Sequence, residues 1–296
     1  MDLIQLAQEY VALPTKKRAN GMSNESQRVF LLYLKLFNQH LETTNSSINT
    51  QSIASFLLKI KSPNSRAMIC NRLVGFLQWY NLIDENTASQ LKSKFKMQQS
   101  NWSSKALDFN FLPTLSHTIK RISKTEFSKS RNQLLLFLLS ATACRISQAL
   151  DLKIKDIIEE DDEYVIMFNS LKKNEYNSNQ KEIKKVSKDF FIGNLNFDSV
   201  YKLYLKKREQ YDNEYLFVTS RNKKLTDREV RLFFNVLNKE LGVKITPHRI
   251  RHTIGTYIAN NYGVVAAAKL LNHSQIATTQ KYIALDKIDI KVPSIK

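Results

Sequence analysis

The chain has 296 residues, enough for two domains of ordinary size. Its 45 Lys and Arg against 27 Asp and Glu leave a formal charge of +18, which favours a polyanionic partner and puts nucleic acid first. The cations are spread along the whole length, with no basic cluster beside an apolar anchor, so a membrane surface is not the expected partner. Two cysteines, Cys70 and Cys144, give neither a disulfide framework nor zinc-ligand spacing, and they fit a reducing cytoplasm.

The first residues, MDLIQLAQEYVALPTKK, place an acid before the apolar positions, the reverse of a signal peptide. No later apolar run reaches the roughly 18 residues of a membrane span. Six Gly and five Pro leave few turns, which argues against a many-stranded barrel and for a mainly α protein with a small β element.

From Asn24 to about Lys96 apolar residues recur every three or four positions: Val29, Leu32, Leu36, Phe37, then Ile53, Phe56, Leu57, then Met68, Leu73, Phe76, Leu77 and Tyr80. This spacing predicts about four packed amphipathic helices, with Ser62 and Pro63 opening one of them. A polar stretch from Met97 to about Asn110 reads as a linker, dividing residues 1–105 from residues 106–296.

In the second part, the apolar run Leu134–Leu139 predicts a helix buried on most sides. Tyr164–Phe168 and Ile183–Ile192 read as two strands of a hairpin around the basic segment LKKNEYNSNQK. Thr226 and Glu229 have the spacing of a capping box for a helix that Gly242 ends. Thr246 followed by Pro247 marks another helix start.

That last start puts His248 and Arg251 three residues apart near a helix amino terminus, a place suited to an anion. Arg145 follows the buried helix in ATACRISQALDL, where an unpaired cation is expected to need an anion. In LLNHSQIATTQKY, His273 precedes Tyr282 by nine residues, with Ser, Thr and Gln between them and little apolar cover for the phenol.

Taken in order, Arg145, His248, Arg251, His273 and Tyr282, with the sequence around each, resemble the catalytic set of the tyrosine recombinase, or phage integrase, family. The resemblance runs from about Leu134 to Ala284. It implies a helical core-type DNA-binding domain over 1–105 and an α+β catalytic domain over 106–296. It also implies a site-specific recombinase that exchanges duplex DNA strands through a 3′-phosphotyrosyl link to Tyr282, as a tetramer on paired sites, with no metal and no nucleotide cofactor. The family further uses a hairpin lysine. Lys172 is the choice here and Lys173 the next, with Lys181, Lys184 and Lys185 at the start of the second strand as alternatives.

Three positions depart from the family pattern: Ala143 and Asn272 stand where glycines are usual, and Gln148 where an acid is usual. Asn272 tolerates a left-handed backbone, and a neutral Gln148 holds its neighbours less strongly than a carboxylate would. Two other readings share the motif. One is a type IB topoisomerase or telomere resolvase, separated by supercoil relaxation without recombination; the other is an inactive DNA-binding relative, separated by the lack of a covalent adduct. At the carboxyl end, the alternation of Ile288, Ile290 and Val292 suggests docking on a neighbouring subunit or a free tail.

Overall fold

The structure is a computed structural model that describes residues 3–13, 22–97, 106–169 and 181–272. The chain divides into two compact units, Met1–Asn101 and Trp102–Lys296.

The first unit is helical: α1 (Leu3–Ala12), α2 (Asn24–Thr44), α3 (Thr50–Leu58), α4 (Pro63–Trp79) and α5 (Glu85–Lys94). The last four are the helices that the spacing predicts; α1 is an addition. Side chains of Ser23, Asn49, Ser62 and Asp84 accept from backbone N–H groups of the first turns and fix where α2 to α5 begin. The α2 register differs from expectation. In the nearly continuous apolar run of α2, Phe30, Leu34, Phe37 and Leu41 face the core, whereas Leu32 is 55% and Leu36 43% exposed. Steps of four, three and four residues keep one side of a 3.6-residue helix inward, and Leu32 and Leu36 fall on the other side.

The second unit opens with a 3₁₀ turn, Phe109–Phe111, then α6 (Leu112–Ile122), α7 (Glu126–Thr142) and α8 (Ile146–Leu150). All six residues Leu134–Leu139 of α7 are buried, as the sequence predicts, and α7 packs against α6, α9 (Phe197–Arg208) and α11 (Pro247–Tyr262). Each such side chain contributes about 1.5–3 kcal/mol of burial, which makes α7 the rigid centre on which the other elements are placed.

Between α8 and α9 lie β1 (Ile157–Glu159), β2 (Glu163–Asn169) and β3 (Lys181–Ser187), an antiparallel sheet in the order β1-β2-β3. The predicted second strand is shorter than expected. Phe190 N–H bonds to the Ser187 carbonyl and turns the chain, so Phe191–Ile192 (β4) pair with Leu195–Asn196 (β5) in a separate two-stranded sheet. Residues 170–180, including Lys172 and Lys173, lie outside the described residues.

α10 (Asp227–Leu241) carries the Thr226/Glu229 capping box and ends at Gly242, which has φ +65°. α11 starts at Pro247 behind the Thr246 cap, and α12 (Val264–Leu270) follows it. Among the described residues, no helix is long and apolar enough to cross a membrane.

Candidate active site

Four local features bring the sequence motifs together. α7 ends at Ala143, whose φ of +48° and ψ of +29° lie in the left-handed region, so the chain turns sharply into Cys144 and Arg145. Arg145 sits at the cap of α8 and its side chain is exposed. This corrects the expectation that a buried Arg145 requires an anion: the turn at Ala143 carries it out of the core.

The buried cation is instead Arg251, which is 3% exposed on the second turn of α11. Its guanidinium donates to the Ala143 carbonyl and, at 2.6 Å, to the Leu271 carbonyl. A planar group fixed on two sides has little freedom left, so Arg251 ties the turn before Arg145 to the end of α12. His248, one turn before, is exposed at the start of α11, with its ring 6.3 Å from that of His252.

β3 supplies the third feature. Its pairing sets Lys184 opposite Ile166 and Glu182 opposite Phe168, both fully buried, so Glu182 and Lys184 share the inward face with Val186. Their side chains are 12% and 10% exposed and lie 3.1 Å apart. Lys184 also donates to the Leu270 carbonyl, so two cations, Lys184 and Arg251, meet adjacent carbonyls at the carboxyl end of α12, where the helix dipole is negative. Burial presses the Lys184 pKa below its usual value; the Glu182 carboxylate works against this, and the nearby Arg251 charge adds to it. Burial opposes ionisation of Glu182, but hydrogen bonds from Asn272 and Gln148 and the charge of Lys184 prevail and hold its pKa low.

The fourth feature is Asn272 itself. Its φ is +49°, the left-handed conformation that the sequence allows for it, and it directs the chain out of α12 toward residue 273. His273 and Tyr282 lie outside the described residues, as does the segment 288–292.

Among the described residues, the three hairpin lysines Lys181, Lys184 and Lys185 separate clearly. Lys181 pairs with Asp156 at 2.6 Å, and Lys185 pairs with Glu163 and Glu160, both on the outward face of β3. Of the described candidates, Lys184 is the one near Arg251. Glu182 is a residue that motif reading misses. Period-two counting back from Val186 puts Glu182 and Lys184 inward, but counting from Ile183, which is 61% exposed, would put them outward, so it is the pairing with β2 that identifies Glu182. Among the described residues, no group of three or more His, Cys, Asp or Glu side chains has the arrangement of a metal site.

The model of the phage integrase family matches residues 105–288. Tyrosine recombinase XerA of Pyrococcus furiosus is 28% identical over 280 residues, which cover 90% of this chain and 91% of that protein. Tyrosine recombinase XerC of Staphylococcus aureus is 23% identical over 284 residues, covering 91% and 89%. Among solved structures, XerH site-specific recombinase bound to palindromic difH substrate in a post-cleavage complex aligns with a TM-score of 0.74 at 21% identity, covering 90% of this chain and 78% of that one. With well over half of its length matched by the family model, the chain belongs to the phage integrase family, the tyrosine recombinases that cut and rejoin DNA strands.

Proposed function

We propose that residues 1–105 and 106–296 act as DNA-binding and catalytic domains on duplex DNA in the cytoplasm, assembled as a tetramer on paired sites, with Tyr282 as the nucleophile. The phenolic oxygen attacks the phosphorus, the bond to the 5′ oxygen breaks, and a 3′-phosphotyrosyl link forms. Because that link keeps the energy of the phosphodiester, a 5′-hydroxyl from a partner strand can reverse the step without ATP.

A phosphodiester concentrates negative charge on its non-bridging oxygens as the transition state forms, and fixed cations lower that cost. Arg145 and Arg251 fill this role with bidentate, permanently charged groups, and His273 adds a hydrogen bond. His248 helps to accept the proton of Tyr282, whose free pKa of about 10 leaves it mostly neutral. Lys172 gives a proton to the departing 5′ oxygen. The two arginines take the charge-neutralising part that metal ions play elsewhere, so the reaction is expected to need no metal.

The observation that supports this reading is the double anchorage of Arg251. One side chain is bonded next to the Arg145 turn and to the residue before Asn272, so three motifs far apart in sequence meet at one guanidinium. The test is a duplex carrying the cognate site, nicked so that the cut strand cannot be resealed. Wild type accumulates a covalent protein–DNA adduct that survives denaturation, and Tyr282→Phe forms none. An adduct with Tyr282→Phe, or none with wild type, would refute the assignment.

A further inference from the structure

Glu182 lies at a junction that the roles above leave unused. Gln148 Nε2 donates to Glu182 Oε2 at 2.9 Å, while Gln148 Oε1 accepts from the backbone N–H of Arg145 at 3.1 Å. On the other carboxylate oxygen, Lys184 Nζ approaches Glu182 Oε1 to 3.1 Å. The side chain of Asn272 forms a further hydrogen bond to the same carboxylate. Glu182 therefore touches three groups that belong to the Arg145 turn, to β3 and to the end of α12.

From this we infer that Glu182 is a positioning residue for strand cleavage: through Gln148 it fixes the Arg145 backbone, and through Asn272 and Lys184 it fixes the point where the chain leaves α12 toward His273.

The inference rests on the recombinase reading and adds a residue to it. Its chemistry depends on the pairing of an amide with a carboxylate. An amide at 148 can accept from Arg145 N–H with its oxygen and donate to Glu182 with its nitrogen, whereas a carboxylate at 148 could only accept. Two carboxylates at this separation would repel each other or share a proton. The neutral Gln148 is thus suited to its neighbour, and the negative charge that orients the site comes from β3. A carboxylate accepting from an ammonium and from amides holds all of them more firmly than a neutral acceptor would. It does so in a largely buried place, where water competes little.

The test is a charge swap across one hydrogen bond. Single-turnover cleavage of the nicked duplex at saturating protein is compared with DNA affinity and with the urea midpoint for Glu182→Gln, Gln148→Glu and the double variant. Glu182→Gln is expected to slow cleavage at least 10-fold with DNA affinity within about 2-fold. Gln148→Glu is expected to slow it similarly, and the double variant, which restores one amide and one carboxylate, to recover to within about 3-fold of wild type.

Unchanged cleavage in Glu182→Gln would overturn the inference, as would a double variant no faster than the slower single one. A loss of DNA affinity or of fold that tracks the loss of cleavage would also overturn it, because Glu182 would then serve structure alone. Wild type that forms no adduct would refute the recombinase reading and the positioning role with it. In that case the urea midpoints, non-additive across the cycle, would still report the amide–carboxylate pair.

Discussion

Arg251 on α11 donates to the carbonyl of Leu271 at 2.6 Å, so a cation that is 3% exposed closes the end of α12. Such a bond costs little while both partners are present. If the guanidinium is lost, buried carbonyls at Ala143 and Leu271 are left to find other donors.

Arg251→Lys tests this directly. One ammonium on a flexible stem cannot reproduce a planar fork that reaches two carbonyls and, in the proposed mechanism, grips a phosphate as well. The expected result is a cleavage rate lower by about 100-fold or more and a stability lower by about 1–3 kcal/mol. Single-turnover cleavage and urea denaturation measure the two effects, and near-wild-type values in both would contradict the anchoring role.

Ala143 predicts a contrast between two substitutions. Its left-handed φ of +48° is strained for any residue with a Cβ, and its side chain is fully buried. Glycine removes the strain, about 1 kcal/mol, and also removes a buried methyl group of about 0.8 kcal/mol, so Ala143→Gly should stay within about 1 kcal/mol of wild type. Ala143→Val places a β-branched side chain in the same conformation and should lose roughly 2 kcal/mol or more. Equal stability of the two variants in urea would show that the turn is not under this constraint.

Acid stability should depend on Asp156. Burial opposes its ionisation, but the Lys181 ammonium and the Lys153 N–H hold its pKa below the usual carboxylate value. A group with a lowered folded pKa contributes stability that is fully present above its unfolded value of about 3.9 and is lost as pH falls through the folded value. Asp156→Asn should therefore flatten the acid limb of unfolding free energy against pH. An unchanged slope below about pH 4 would assign that limb to other carboxylates.

The proton donor to the leaving group can be separated from residues that only shape the site. If Lys172 protonates the 5′ oxygen, Lys172→Ala should cut slowly on ordinary DNA, by about 100-fold or more. It should recover on a duplex in which the bridging 5′ oxygen is replaced by sulfur, a leaving group that needs no acid. Lys184→Met, which breaks the contacts to Glu182 and the Leu270 carbonyl, should stay slow on both substrates. Rescue of Lys184→Met and not of Lys172→Ala would move the acid to β3.

Features written in local chemistry are legible in the amino-acid sequence itself. Ser62 with Pro63, Thr226 with Glu229 and Thr246 with Pro247 each satisfy helix-end donors within a few residues, so the helix starts follow from the chain alone. Leu134–Leu139 is apolar on every side and has to be buried wherever α7 lies. Arg145, His248 and Arg251 stand out by motif, and Asn272 by its tolerance of a positive φ.

Strand pairing decided the rest. Whether Glu182 and Lys184 face inward depends on a register with β2 that a one-residue slip would invert, and the lysine-rich sequence of β3 permits either face. In α2, an almost unbroken apolar run left the core side to be chosen by packing, so Leu32 and Leu36 turned outward. Burial divided the arginines in the same way: Arg145 is exposed and Arg251 enclosed, because the left-handed turn at Ala143 carries one out of the core while α11 carries the other into it. Sequence determined which residue types are present and where helices begin. Tertiary structure determined which charges meet, because the contacts of Glu182 with residues 148, 184 and 272, and of Arg251 with the carbonyls of 143 and 271, exist only after segments distant in sequence have packed together.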